Sequence, residues 1–233
     1  MLPQQKPLLE YPVIYFLADN HFGARPGAAL YAELHHDYKI HFEENTFPCL
    51  ESVDLRENCS LLILNFIAGT GTTASPTGAA EANVRRYLEA GKPLLLIHAG
   101  SAAFWHWPWW REVVGLRWVR NNDPFQIAPS VHPTAPYRVD LCKCRHPLLP
   151  HLRPMDLPSD EIYIQLEQTA PAVFLMQTTI DQGTFPQCHE NRSPWGGRVI
   201  GLLPGHSAEV VRHPDYLANV RAIIARLLDS PAA

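Results

Sequence analysis

Residues 93–99, PLLLIHA, decide the fold class of this chain. The run is apolar up to His98, and an unbroken apolar run of this length is typical of a strand covered on both faces of a parallel sheet. Comparable runs occur at 11–19 (YPVIYFLAD), 61–66 (LLILNF) and 198–206 (RVIGLLPGH). Each run therefore predicts one buried strand.

Helical segments lie between and after these runs. PGAALYAELHHDY (26–38) has a proline near its first turn, and a second helix is expected from the Ser75–Pro76 cap to Gly91. Residues 214–228 carry an apolar stripe at helical spacing. Strands that alternate with helices predict an α/β fold with a central, mainly parallel sheet.

The middle of the chain, roughly 116–190, has a different pattern. It is rich in proline and contains short strand-like pieces at 137–141, 161–166 and 172–179. We expect residues 1–233 to form a single domain, with this Pro-rich stretch as an elaboration of the sheet.

Composition excludes several classes of function. Lys+Arg number 19 and Asp+Glu 23, a net charge of −4, so there is no basic field to hold a nucleic acid. No apolar run reaches the roughly 18–20 residues that a membrane helix needs. The first twelve residues lack the apolar stretch of a secretory signal, and the five cysteines are odd in number and widely spaced. A cytoplasmic protein with reduced thiols is therefore expected.

Polar side chains follow the predicted strands at the points where they end. These residues are Asp19, His21, Asn65, His98 and His206. Because parallel strands bring their carboxyl ends to one edge of a sheet, and ligands bind in the crevice there, we expect these side chains to line one cleft. The alternative is that strand ends are polar only because loops are polar.

Three segments carry a family resemblance. GKPLLLIHAGSAAFWHWPWWREVVGLRW, HPLLPHLRPMDLPSDEIYIQL and GGRVIGLLPGHSAEVVRHPDYLANVRAIIARLL resemble, in order and spacing, segments of the ThuA-like (trehalose-utilisation) family. The matching motifs are His146–Pro147, Asp160–Glu161–Ile162–Tyr163, Gly197–Arg198–Val199 and Gly205–His206. The resemblance implies a flavodoxin-like three-layer sandwich, similar to class I glutamine amidotransferases.

The amidotransferase relatives place a nucleophilic cysteine on the sharp turn after a central strand. Here that position holds His98, and none of the five cysteines lies in such a turn. Without a thiol there is no acyl-enzyme, so the protein is not expected to be a glutaminase. The ThuA-like resemblance instead implies a carbohydrate, and in particular a keto-sugar, as the small-molecule substrate.

His98 and His206 are the first candidates for catalysis. A facing pair of imidazoles can supply one acid and one base near neutral pH, or two ligands of a divalent metal. Which cofactor the protein uses, if it uses one, stays open at this point. Histidines hydrogen-bonded into loop structure are the alternative.

Glu161 is the candidate orienting carboxylate. In a strand over 161–166 it shares a face with Tyr163, which joins Asp19, His21 and Asn65 as a candidate substrate-binding residue. His132 precedes a proline, which favours a structural role for it.

Four tryptophans crowd the segment after His98. Aromatic faces suit the apolar faces of sugars, so Trp105 is a further candidate for substrate binding. Segment 104–110 is expected beside the crevice or at the interface of a homo-oligomer, because each indole N–H needs a partner. The alternative is that these rings fill the core.

Two functions from different classes fit these patterns. The first is an enzyme that isomerises a keto-sugar, or cleaves it by elimination or hydrolysis, through histidine acid/base or metal-assisted chemistry. The second is a non-catalytic carbohydrate-binding or interaction module on an amidotransferase-like scaffold that lacks the nucleophilic cysteine.

Overall fold

The computed structural model describes residues 12–121 and 123–229, so the first eleven residues, on which the expectation about a secretory signal depends, lie outside the described part. The strands, in chain order, are β1 (Val13–Ala18), β2 (Lys39–Glu44), β3 (Leu61–Asn65), β4 (Leu94–Ile97), β5 (Leu116–Arg117), β6 (Thr134–Leu141), β7 (Met155–Glu161), β8 (Glu167–Gln168), β9 (Ala172–Ile180), β10 (Gly183–Arg192) and β11 (Arg198–Leu202).

Six α-helices and four short 3₁₀ helices connect the described strands. The α-helices are α1 (Pro26–Leu34), α2 (Cys49–Ser52), α3 (Leu55–Asn58), α4 (Gly78–Glu89), α5 (Ala208–Val211) and α6 (Pro214–Leu228). The 3₁₀ helices are His21–Gly23, His98–Ala102, Pro108–Glu112 and Leu149–His151. Among the described residues, no helix combines the length and the apolar character needed to cross a membrane.

One large mixed sheet organises the molecule. Its order is β2-β1-β3-β4-β11-β10-β9-β6-β7; the first five strands are parallel to one another, and the remaining pairs are antiparallel. A two-residue pair, β5 with β8, forms a second small sheet. The predicted α/β sandwich is confirmed, and the antiparallel strands come from the Pro-rich middle of the chain.

Helices cover both faces of the parallel half, which is why its strands are apolar throughout. Alternate residues of β3 enter different cores: Leu61 and Ile63 pack in the cluster that contains α1 and α6, and Leu62 and Leu64 pack in the cluster that contains α4. A helix layer on each side gives the three layers of the sandwich.

The strand predicted over 161–166 is wrong. β7 ends at Glu161, and the following residues are irregular, with Ile164 bridging only to Val131. The chain nevertheless buries Ile162, Tyr163 and Ile164, and a buried irregular segment has the same apolar pattern as a strand. This departure from the sheet carries Glu161 and Tyr163 toward the parallel strands.

The tryptophan segment is divided between core and surface. Trp107 and Trp110 are 4% and 1% exposed and pack in the α4 core, so the expectation that they lie at a crevice or an interface is wrong for these two. Trp109 is half-buried, and only Trp105, at 41%, is exposed. The core beneath α4 is apolar, and the large rings of Trp107 and Trp110 fill part of it.

Candidate functional site

Four side chains converge at the carboxyl edge of the parallel strands. His21 follows β1, His98 follows β4, His206 follows β11 and Glu161 ends β7. One ligand atom from each lies within 4.8 Å of the others. We call this group the His/Glu cluster. Three strands separate β11 from β7 in the sheet, so sheet neighbourhood does not explain the position of Glu161. Glu161 reaches the cluster because the β6–β7 pair folds against α5 and α6.

His98 stands on a sharp turn. Its φ of 44° lies in the left-handed region, which is unusual for a residue with a side chain and is concentrated at functional sites. Two residues later, a Cβ on Gly100 would lie 2.2 Å from the Leu64 carbonyl oxygen, so only glycine fits there. The turn after the strand thus has the sharp form expected for a nucleophile, but it presents an imidazole.

The tautomer of His98 follows from one contact. Its Nδ1 lies 2.9 Å from the carbonyl oxygen of Leu203 and donates to it, which leaves a lone pair on Nε2. Nε2 has no hydrogen-bond partner among the described residues and faces Glu161 Oε2 at 3.5 Å. Burial lowers the pKa of His98, although Glu161 opposes the shift. In its neutral form, His98 therefore directs the Nε2 lone pair at a carboxylate oxygen.

His21 is held by Asp19. The Asp19 Oδ1 atom accepts from the backbone N–H of His21 at 3.0 Å and lies 3.3 Å from its Nδ1, while Oδ2 accepts from the backbone N–H of Ile67 at 3.0 Å. This places the proton of His21 on Nδ1 and leaves Nε2 facing His206 Nδ1 at 2.7 Å. A carboxylate behind an imidazole is the usual outer partner of a metal-ligating histidine.

His206 is positioned by Asp160, which was not among the site residues predicted from the sequence. The buried Asp160 Oδ2 accepts from the backbone N–H groups of Gly205 and His206 at 3.0 and 3.3 Å. The hydrogen bond to Glu161, at 3.3 Å from His206 Nδ1, raises the pKa of His206 against the effect of burial.

Glu161 also contacts His132, a second residue that was not predicted from the sequence to belong to the site. Burial favours the neutral acid, but His206 and His98 outweigh it and hold the pKa of Glu161 well below its usual range. Its other oxygen, Oε1, lies 3.2 Å from Nδ1 of the exposed His132. The family motif includes Asp160 but gives it no role, and no sequence pattern points to His132, because both partnerships depend on where β7 packs.

The four donor atoms fit a divalent cation. Three imidazole nitrogens and one ionised carboxylate are ligands that zinc and other first-row metals accept. When His98 is neutral and Glu161 ionised, the two face each other with lone pairs only, and a positive charge between them would satisfy both. Without a metal, a proton on His206 would supply part of that charge.

The other predicted site residues lie around the cluster. The Tyr163 ring is tilted against the His98 ring, with centroids 4.1 Å apart. Asn65 is completely buried; its carbonyl oxygen accepts from the Asp19 N–H at 3.1 Å, and its amide atoms have no partner among the described residues. Trp105 donates to the Ala68 carbonyl oxygen at 2.9 Å and stacks against Arg120.

One cavity has a cluster residue in its wall, and a second has His132, which contacts Glu161. One, of about 110 Å³, is lined by Asp19, His21 and the loop from Thr70 to Thr73. The larger, of about 350 Å³, includes His132, Trp118 and Arg120 in its wall. Its size is in the range of small-molecule sites, about 300–1,000 Å³.

Comparison with solved structures places this architecture among known proteins. A ThuA-like protein from Parabacteroides merdae ATCC 43184 has a TM-score of 0.73 and 12% identity, over 96% of this chain and 91% of its own. One from Bacteroides uniformis ATCC 8492 has a TM-score of 0.70 and 16% identity, over 100% and 96%. At these identities the likeness is one of fold.

A more distant likeness involves a larger enzyme. The β-galactosidase of Bacillus circulans sp. alkalophilus has a TM-score of 0.55 and 12% identity, over 94% of this chain but only 31% of its own. None of the proteins with curated functions matches the chain.

The sequence itself supplies the family. The sequence model described as "Trehalose utilisation" matches residues 20–224, which include all four members of the His/Glu cluster. The chain therefore belongs to the ThuA family, with its carbohydrate-related role.

Proposed function

We propose that the protein is an enzyme that acts on a keto-sugar and that the His/Glu cluster is its active centre. The observation that carries the proposal is that one potential ligand atom from each of three imidazoles and one carboxylate lies within 4.8 Å of the others, with His98 Nε2 and Glu161 Oε2 3.5 Å apart. A purely structural pair of histidines would direct its lone pairs at N–H or O–H donors.

His21, His98, Glu161 and His206 would hold a divalent cation. When bound, such a cation polarises a carbonyl oxygen and makes the neighbouring C–H more acidic. The outer partners are already in place, since Asp19 and the Leu203 carbonyl oxygen fix two of the imidazoles in the tautomer that a ligand needs.

His132 would accept the proton that is removed from the substrate. Its Nδ1 lies against Glu161 Oε1, so an N–H there donates to the carboxylate and leaves Nε2 to accept a proton from substrate. His132 is exposed and lines the 350 Å³ cavity, as a residue that meets substrate should. Removing the proton next to a carbonyl leads to isomerisation or to elimination.

Aromatic rings lie where a sugar would enter. Trp118 is tilted against Tyr163 at a centroid distance of 4.2 Å and against His132 at 5.4 Å, and it belongs to the cavity wall. The Trp118 ring suits the apolar face of a pyranose ring. These contacts support a carbohydrate as the ligand of the cavity.

Metal content and turnover test the proposal together. We expect about one divalent ion per chain in the purified protein, and turnover of a keto-sugar that is lost on chelation and restored by the metal. His206→Ala should lose both, whereas His151→Ala, an exposed histidine outside the cluster, should keep both.

Two results would overturn parts of this assignment. Turnover that survives complete removal of metal would make His98 and His206 an acid/base pair instead of ligands. Sugar binding without turnover of any keto-sugar by the metal-loaded protein would identify a non-catalytic binding module.

A further inference from the structure

Arg120 is a cation with an unusual environment. It lies between two cavities, the one of about 350 Å³ that reaches His132 and another of about 250 Å³ that includes Trp105 and Asp123. Its guanidinium carbon lies 4.3 Å from the centroid of the Trp105 ring. The charge is therefore held in a fixed place at the border of the proposed substrate cavity.

The neighbouring arginines are paired, and Arg120 is not. Arg117 bonds to Asp123 and, at 2.7 Å, to Glu167, which also accepts from Arg111. Within residues 12–121 and 123–229, no carboxylate forms an ion pair with Arg120, and its buried Nη1 atom has no hydrogen-bond partner. A buried guanidinium N–H without an acceptor is destabilising, and no described carboxylate offsets the charge of Arg120.

The pKa shifts of Arg120 and of its neighbour His106 have the directions expected if no carboxylate neutralises the charge of Arg120. Burial lowers the pKa of Arg120, and no nearby carboxylate opposes that shift. Burial also lowers the pKa of neighbouring His106; Glu81 opposes this effect and the charge of Arg120 adds to it. A planar guanidinium is the side chain best suited to carboxylate and phosphate oxygens.

The same cavity connects this charge to the active centre. His132, whose Nδ1 lies 3.2 Å from Glu161, and Arg120 both belong to its wall, and Trp118 lies in the wall with them. A ligand in this cavity can contact both Arg120 and His132, the residue that lies against Glu161.

We propose that Arg120 binds an anionic group of the substrate, so that the sugar on which this protein acts carries a carboxylate or a phosphate ester. This inference rests on the proposed function, because it assigns the substrate class of the same site. It also gives Arg120 a specificity-determining role separate from the chemistry at the cluster.

Calorimetric titration with four probes tests it: glucose, gluconate, glucose 6-phosphate and inorganic phosphate. We expect the wild type to bind a charged sugar about 10- to 100-fold more tightly than glucose, the effect of one charge-assisted contact. Arg120→Gln should abolish this preference, and Arg120→Lys should keep part of it. The stronger of the two charged sugars distinguishes a carboxylate from a phosphate.

Arg85→Gln is the matched control. Arg85 also lies over tryptophan rings, at 5.9 Å from Trp109 and 5.8 Å from Trp195, but it is exposed, pairs with Glu89 and lines none of the cavities described above. Its replacement should leave the preference intact. The titrations are repeated after chelation, so that binding of phosphate or carboxylate to a metal is separated from binding to Arg120.

Three outcomes would overturn the inference: equal affinity for glucose and the charged sugars, a preference that survives in Arg120→Gln, or no binding of any charged probe at millimolar concentration. A lower unfolding temperature of Arg120→Gln with an unchanged preference would give Arg120 a structural role on Trp105. Keto-sugar turnover by a protein without the charge preference would leave the proposed function standing and remove only this inference.

Discussion

The imidazole of His98 and the backbone of Leu203 are joined by a contact of 2.9 Å between Nδ1 and the carbonyl oxygen. The contact connects the ends of two neighbouring parallel strands, β4 and β11. It fixes both the ring orientation and the tautomer of His98, so the lone pair on Nε2 points into the cluster. Site chemistry and local stability therefore depend on the same hydrogen bond.

His98→Ala and His206→Ala should differ in stability and agree in metal binding. His98 is completely buried, so its removal leaves a cavity and an unpaired carbonyl oxygen and should cost about 1–3 kcal/mol of unfolding free energy. His206 is half-buried, so His206→Ala should lower the unfolding free energy by less than about 1 kcal/mol.

Urea unfolding in the presence of a chelator, with metal analysis of the untreated proteins, checks the prediction. Both variants should lose the metal, and His151→Ala should lose neither metal nor stability. Equal stability of the two cluster variants would contradict the role given to the Leu203 contact.

Asp160→Ala should destabilise the loop that carries His206. The buried Asp160 carboxylate accepts two backbone N–H groups, from Gly205 and His206, and the alanine variant would leave both without an acceptor. We expect a loss of about 2–4 kcal/mol, since each buried donor left unpaired costs about 1–3 kcal/mol. Asp156→Ala, an exposed position on the same strand, should cost less than about 1 kcal/mol, although Asp156 pairs with Arg138.

The readout is the unfolding free energy together with metal affinity. A variant of Asp160 as stable as that of Asp156 would show that the two backbone contacts contribute little. Weaker metal binding in the folded Asp160 variant would support its positioning of His206.

Much of the site follows from the sequence because of one topological rule. His21, His98 and His206 each come directly after a buried parallel strand, and parallel strands bring their carboxyl ends together. The apolar runs identify these strands without any tertiary information. Glu161 was accessible through its family motif, although the strand assigned to it was too long.

The remaining features of the site depend on tertiary packing, which the spacing of apolar residues along the chain does not reveal. Asp160 and His132 reach the cluster only because the end of β7 packs against the residues that follow β4 and β11, and no local sequence pattern predicts that packing. Trp107 and Trp110 illustrate the converse, since an aromatic run has the same pattern whether it fills a core or binds a ligand.

Thiol reagents should modify few cysteines and leave turnover intact. All five cysteines are free thiols, and Cys49, Cys59 and Cys188 are buried. Burial raises the pKa of each of these three, that of Cys59 to about 12, so they form little reactive thiolate. Cys142 and Cys144 are half-buried and lie outside the His/Glu cluster.

We expect a chromogenic disulfide reagent to titrate at most these two thiols in the native protein and all five after unfolding. The double variant Cys142→Ala and Cys144→Ala should keep wild-type turnover and show no fast reaction. Loss of turnover in this folded double variant would mean that a thiol takes part in the reaction.

His189 predicts a pH dependence of stability that is independent of the site. Its ring is completely buried, lies 3.0 Å through Nε2 from the Val114 carbonyl oxygen, and packs so closely on Gly201 that a Cβ there would come within 2.1 Å of it. Burial lowers the pKa of His189 to about 4, and the contact with Val114 only partly opposes the shift. An unfolded histidine titrates near 6.5.

The sign follows from proton binding. Between pH 6.5 and about 4 the unfolded chain binds a proton at this position and the folded protein does not, so lowering the pH favours unfolding. The contribution of His189 is complete above pH 6.5 and declines as the pH falls through this window, by about 3 kcal/mol in total.

His189→Gln tests this prediction because glutamine can donate to the Val114 carbonyl oxygen but does not titrate. Other histidines also titrate in the same window, so the informative quantity is the difference in unfolding free energy between wild type and variant, measured by urea unfolding from pH 7.5 to 4.5. We expect the wild type to lose stability more steeply than the variant as the pH falls. Parallel curves would show that His189 accepts a proton in the folded protein as readily as in the unfolded chain, and would place water or a rearranged backbone beside the ring.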